Sequence, residues 1–147
     1  MNCTNDPIII RAKFMAQHLN VRNVRGATLL ILYDLRVPVH YMGFDYLLIG
    51  IPSALESTSQ IVANEIYEYV GSQYIPKVVT QNMEGAIRDA IKAAWKNRTD
   101  ENWNYYFPDY MVCRRKQPSN LEFISAIVYF LKLWQDCCTE GANYANV

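Results

Sequence analysis

Gln81, Asn82, Gly85, Arg88, Lys92 and Lys96 recur through one stretch at intervals that place them on a single face of a helix. Met83, Ile87, Ala90, Ile91 and Ala94 take the complementary positions, so the opposite face is expected to be buried. Amide side chains beside cations suit a DNA duplex: Gln and Asn pair with adenine edges, and Arg and Lys hold guanine or phosphate. A second helical pattern lies just upstream, beyond a turn marked by Pro76. Two helices joined in this way, the second with small and polar groups outward, predict a helix-turn-helix. The same pattern would also serve any helical hairpin that has one wet face.

Other chemistries find less support. His18 and His40 are far apart, and Cys3, Cys113, Cys137 and Cys138 show no C-x-x-C spacing, so neither a metal site nor a disulfide framework is expected. Free thiols fit a reducing, cytoplasmic setting. No residue combination supplies a nucleophile oriented by a base, so an enzyme is not expected, nor is a cofactor. The unbroken apolar run Ile8–Ile10 is too short for a signal peptide, and nothing is long enough to cross a bilayer.

Lys and Arg together equal Asp and Glu at 14 each, which excludes a wholly basic coat but not local patches. Three basic segments stand out. Arg11, Lys13, Arg22, Arg25 and Arg36 face only Asp34 within residues 11–36; Lys77, Arg88, Lys92, Lys96 and Arg98 outweigh Glu84 and Asp89; Arg114, Arg115 and Lys116 are contiguous. Brought together, they would form a one-sided polyanion contact; apart, they are ordinary solvated surface.

The elements that must position these groups read as helices throughout. Residues 1–26 are expected to form a basic arm, partly helical over RAKFMAQHL with Phe14, Met15 and Leu19 inward. Ala27–Arg36 is a strong apolar helix stopped by Pro38, and FDYLLIGI follows Gly43, its end weakened by Gly50 and Pro52. From about Ala54 a further helix would bury Ile61, Val62, Ile66, Tyr69 and Val70, with Ser57, Thr58 or Ser59 as N-cap. Thr80 is expected to cap the next helix, and Trp95 near its end to be core. The aromatics Trp103, Tyr105, Tyr106, Phe107 and Tyr110 would seal the bundle rather than stack bases. Ser119–Glu122 is a capping box that opens the last helix, whose broad apolar face is expected to be core. Residues 141–147 read as a frayed tail.

Three stretches carry a family resemblance. VPVHYMGFDYL (37–47), AIRDAIKAAW (86–95) and QPSNLEFIS (117–125) resemble V-P-x-H-x-x-G-[YF]-[ED]-Y-L, A-I-R-H-A-I-x-x-A-W and K-P-[ST]-N-S-E-F-I-A. These belong to the C-terminal DNA-binding effector domain of the stage-zero sporulation response regulator. The resemblance spans about residues 27–140. It implies an all-α, compact bundle of about six helices containing a helix-turn-helix, and a transcription regulator that binds double-stranded DNA as a homodimer on tandem sites. RNA polymerase or a full-length regulator are further partners expected if the chain acts as an interaction module.

The departures bear on specificity. The family's recognition helix begins P-S-R-V-E-R-A-I-R, whereas this chain has TQNMEGAIR over 80–88. Two base-reading arginines thus fall on Asn82 and Gly85, while Glu84 and Arg88 are retained. Each arginine–guanine pair contributes roughly 1–3 kcal/mol of discrimination, so an altered or relaxed operator is expected, with Gln81 and Asn82 reading adenine and Glu84 cytosine. Arg88 and Lys92 would lie at the groove, Lys77 in a turn two residues longer would hold a phosphate, and Arg114, Arg115 and Lys116 would touch backbone. The stretch before Ala27 is too short for the regulator's receiver domain, so phosphorylation in cis is not expected. The alternative is an interaction module that kept the fold and lost specific DNA reading, favoured by neutral charge, by Gly85, and by apolar Leu48 and Ile49 where the family has charges.

Overall fold

The computed structural model describes residues 6–145, with side chains as far as Glu140. Among these residues there are eight helices and no strand: α1 Pro7–His18, α2 Val24–Asp34, α3 Met42–Glu56, α4 Ala63–Ser72, α5 Thr80–Lys96, α6 Asp100–Asn104, α7 Asp109–Cys113 and α8 Asn120–Ala145. The expected all-α bundle is present. The surplus over six comes from α6 and α7, single-turn helices within the aromatic segment.

The long α8 forms the spine of the core, with Phe123, Ile124, Ile127, Phe130 and Leu131 wholly buried. Its start carries the predicted capping box: the Ser119 hydroxyl accepts from the Glu122 amide at 3.1 Å, and Glu122 Oε1 accepts from the Ser119 amide at 2.9 Å. Leu121, by contrast, stays on the surface. The helix continues to Ala145, so the backbone of 141–145 is helical where a frayed tail was expected; residues 146–147 lie outside the described ones.

Residues 7–18 are helical, as expected for part of the basic arm, and the helix starts four residues before RAKFMAQHL. Asp6 accepts from the Ile8 amide at 2.9 Å and Pro7 takes the first helical position, where its missing N–H costs nothing. Ile8, Ala12 and Met15 then make a buried stripe against α8. Phe14, expected inward, is exposed because it lies off that stripe. Arg11 is consumed internally: its Nη2 lies 3.0 Å from Asp34 Oδ2, and the Tyr106 hydroxyl donates to the same carboxylate oxygen. Burial, with that bond, pushes the Tyr106 phenol well above its ordinary value.

Two further expectations are corrected. α3 passes through Pro52 to Glu56, although a mid-helix proline costs about 3 kcal/mol. Ile51 and Ala54, buried on either side of it, supply the compensating packing. The next helix starts at Ala63, not near Ala54: residues 57–60 are exposed, Ser57 is the C-cap of α3, and Val62 is an N-cap with no side-chain bond. The inward face is accordingly Ile66, Tyr67 and Val70, whereas Val62 and Tyr69 are exposed.

The α4–α5 connection is the seven residues 73–79. It closes on Gly71, whose carbonyl accepts from the Val78 amide at 3.2 Å. A Cβ on Gly71 would stand 2.3 Å from Val78 O, so the approach requires a bare Cα. At the far end of the molecule Trp103, Tyr106 and Phe107 are buried, with Trp103 stacked on Phe107 at 4.7 Å and Tyr106 edge-on to Phe130 at 4.7 Å. Trp103 also donates to the Leu35 carbonyl at 3.3 Å. Those three rings seal the bundle; Tyr110, expected with them, is 70 % exposed and Tyr105 is half-buried.

Candidate nucleic-acid interface

α5 is amphipathic as its sequence predicts. Met83, Ile87, Ala90, Ile91 and Ala94 are buried, while Gln81, Asn82, Glu84, Arg88, Asp89, Lys92 and Lys96 are exposed. Gly85 is half-buried, and a Cβ built on it meets nothing within 4 Å, so its position opens outward. α3 crosses behind the buried face, where a Cβ on Gly43 would stand 2.3 Å from Ala86 O. Thr80 is not the cap: it is the first helical residue, after a Val79 N-cap without a side-chain bond. Trp95, expected in the core, is half-buried, and the Arg98 guanidinium lies 3.6 Å above its ring.

Several candidate cations are already paired. Arg88 Nη2 lies 2.6 Å from Glu84 Oε1 one turn back, and Lys77 Nζ lies 2.7 Å from Glu68 Oε2 on α4. Arg114 forks onto Glu122, Nη1 to Oε2 at 3.0 Å and Nη2 to Oε1 at 2.8 Å. That fork, followed by the Ser119 amide, holds the Glu122 carboxyl down at about 2. Lys92, Arg115 and Lys116 are exposed and, among the described residues, have no carboxylate within ion-pair distance. Pairs as exposed as Arg88–Glu84 contribute little to stability, so an incoming phosphate can exchange for the carboxylate at small cost.

The tertiary fold brings some of these groups together. Arg88 and Lys116, 28 positions apart, line one concavity of about 440 Å³ with Tyr67, Ser119 and Asn120. Of the third basic cluster, Lys116 therefore adjoins Arg88 of α5. Lys77 instead belongs to the α4–α5 turn. The basic residues of 11–36 do not join as one patch, since Arg11 is sequestered by Asp34 and Arg36 Nη1 sits 3.5 Å from the Asn97 carbonyl at the far end of α5.

Two residues that sequence reasoning passed over hold this arrangement. Asn120 is buried, and its Nδ2 donates both to the Tyr67 hydroxyl on α4 and to the Glu84 carbonyl on α5, each at 3.0 Å. Burial pushes the Tyr67 phenol up. The one available signal was an Asn inside the capping motif, a residue type seldom buried without a partner.

Among the described residues no three of His, Cys, Asp and Glu gather as metal ligands, and no helix is long and apolar enough to cross a membrane. An all-α domain that presents amides and cations from one outward helix face, beside a second cationic segment, has the arrangement of a polyanion contact. A family model described as the sporulation initiation factor Spo0A C terminal matches residues 28–131, and the chain belongs to that family. It is a family of DNA-binding effector domains from a sporulation transcription regulator, not of enzymes. The matched segment begins within α2 and ends within α8, so α1 and the last turns of α8 lie outside it.

Proposed function

We propose that this protein is a transcription regulator that reads duplex DNA through a helix-turn-helix formed by α4 and α5, with an operator that differs from the family's or is less strictly read. The observation that carries this reading is the outer face of α5: Gln81, Asn82, Glu84, Arg88 and Lys92 stand in the solvent on a helix rigidly backed by α3 and α8. Gln81 and Asn82 offer paired donor and acceptor groups for adenine, and Glu84 accepts from cytosine. Arg88, once released from Glu84, reaches a guanine or a phosphate. Gly85 contributes an open gap where the family carries an arginine, which removes one guanine contact. Thr80 and Lys77 approach the backbone from the start of α5 and its preceding turn, and Arg115 and Lys116 from the segment before α8. Arg114, forked onto Glu122, meets a phosphate only by exchanging that carboxylate. Two copies on tandem sites, and contact with RNA polymerase or a full-length regulator, complete the reading.

Selection of bound duplexes from a random pool tests it. An enriched motif, with affinity that falls steeply as salt rises, supports the reading, and salt-independent binding or no enrichment sinks it.

The second reading, an interaction module, draws support from the carboxylate pairing of Lys77, Arg88 and Arg114. It loses support at Leu48, which is buried, and at Ile49, which packs against the core, so neither is a free apolar contact.

A further inference from the structure

We propose that Asn120 is a positioning residue for DNA reading, a clamp that sets the pose of α5 against α4 from the first turn of α8; the inference rests on the DNA-binding reading above. An amide side chain left unpaired in a protein interior is costly, and Asn120 is only 8 % exposed. Both of its amide protons are used, one on Tyr67 Oη and one on Glu84 O. The two acceptors belong to the two helices of the proposed reading unit, and they stand 17 residues apart in sequence. Apolar packing sets helix poses by shape; two directional bonds from one donor add a fixed distance and rotation between α4 and α5.

The location on α5 matters. The gripped carbonyl belongs to Glu84, and the turn it opens carries Glu84, Gly85 and Arg88, the centre of the outward face. Asn120 is itself held in place. It is the first residue of α8, Ser119 and Glu122 close the capping box on either side of it, and Arg114 forks onto Glu122. A chain of polar contacts therefore runs from Arg114 through Glu122 and the capped turn to Asn120, and from there to α4 and α5. Arg114 thereby acts on the reading helix from within the protein, independently of any phosphate it meets. A side chain that sets pose, and carries no charge to the DNA, affects the complex that depends on base register far more than the one that depends on charge.

The experiment uses the full chain and two duplexes, the one that wild type enriches from a random pool and a scrambled one of equal length, read by fluorescence anisotropy across a salt series. Asn120→Ala is expected to weaken the enriched duplex tenfold or more, with the scrambled duplex and the salt slope unchanged. Tyr67→Phe, which removes a single acceptor at constant shape, is expected to give a smaller loss in the same direction. Met15→Ala serves as a control, since it opens the core on the α1 side without touching α4 or α5, and it is expected to leave the ratio of the two affinities alone. A parallel loss on both duplexes, an unchanged ratio in both Asn120→Ala and Tyr67→Phe, or an equal change in Met15→Ala overturns the proposal. Hydrogen exchange of the free protein supplies an arm that needs no DNA: Tyr67→Phe and Asn120→Ala should speed exchange at the amides of residues 84–88 relative to those of α1. Unchanged protection there overturns the clamp even if wild type enriches no duplex, an outcome that by itself defeats only the DNA-binding reading.

Discussion

Gly43 and Ala86 touch without a side chain between them: a Cβ on Gly43 would stand 2.3 Å from the Ala86 carbonyl oxygen and 2.7 Å from Ala90 Cβ. That contact lets the start of α3 press directly on the backbone of α5 behind its outward face. The obstacle is largely backbone, which cannot swing aside as a flexible side chain would. Gly43→Ala is expected to destabilise the protein by about 1–3 kcal/mol, seen as a lower midpoint in urea at unchanged slope.

Gly85 makes the opposite prediction on the same helix. Space around its absent Cβ is open, and a glycine in a helix interior costs about 1 kcal/mol relative to alanine. Gly85→Ala should therefore raise stability by about that amount, measured by the same denaturation.

Specificity can be returned through the same opening. Asn82 is exposed and Gly85 faces open space, so Asn82→Arg with Gly85→Arg should be accommodated without repacking. The double variant is expected to enrich guanine-containing sites from a random pool, each new contact adding roughly 1–3 kcal/mol of discrimination. Enrichment identical to wild type would show that α5 does not meet the base edges.

Among the cations, Lys92 is exposed and, among the described residues, without a carboxylate partner. Lys92→Ala should weaken enriched and scrambled duplexes alike and reduce the slope of log affinity against log salt by about one. A sequence-dependent loss would place Lys92 at a base instead.

The Arg114–Glu122 fork predicts an acid limb. The Glu122 carboxyl lies at about 2 in the folded protein against 4.5 for the ordinary group, from the Arg114 bonds first and the Ser119 amide second. A depressed folded value means that the stabilisation is complete above about pH 4.5 and is lost as pH falls toward about 2. Because the Glu122 side chain is 42 % exposed, solvent screens the pair and the effect is modest. Glu122→Gln should show a flatter fall in urea midpoint between pH 5 and 2; an identical fall would mean that the fork carries no coupling.

Much of the fold was legible because helices announce themselves locally. The buried face of α5 follows from five apolar residues at helical spacing, and the start of α8 from a four-residue capping box whose bonds form within the box itself. The α3–α4 boundary was not legible, because Pro52 and Ser57, Thr58 and Ser59 are strong local signals that packing overrides: Ile51 and Ala54 hold α3 together past the proline. Within residues 1–26, expected as a basic arm that is partly helical, the helix over RAKFMAQHL with Met15 inward was legible, but Arg11 looks solvated in a string of letters, and only the position of Asp34 on another helix makes it an internal group.

The candidate site divides along the same line. The sequence by itself determined its composition: the amides and cations of α5, the missing arginines at 82 and 85, and membership of a DNA-binding family through motifs spread over most of the chain. Tertiary structure decided which of the charges outside α5 are free. Arg88 finds its carboxylate one helical turn away, whereas Arg114 and Lys77 find theirs through loops whose closure no local pattern encodes. It also decided that Asn120 of α8 should bind α4 and α5 together. The physical reason is range: periodicity and capping are set by neighbours within about a turn, while ion pairs and buried amide bonds depend on where distant backbone comes to rest.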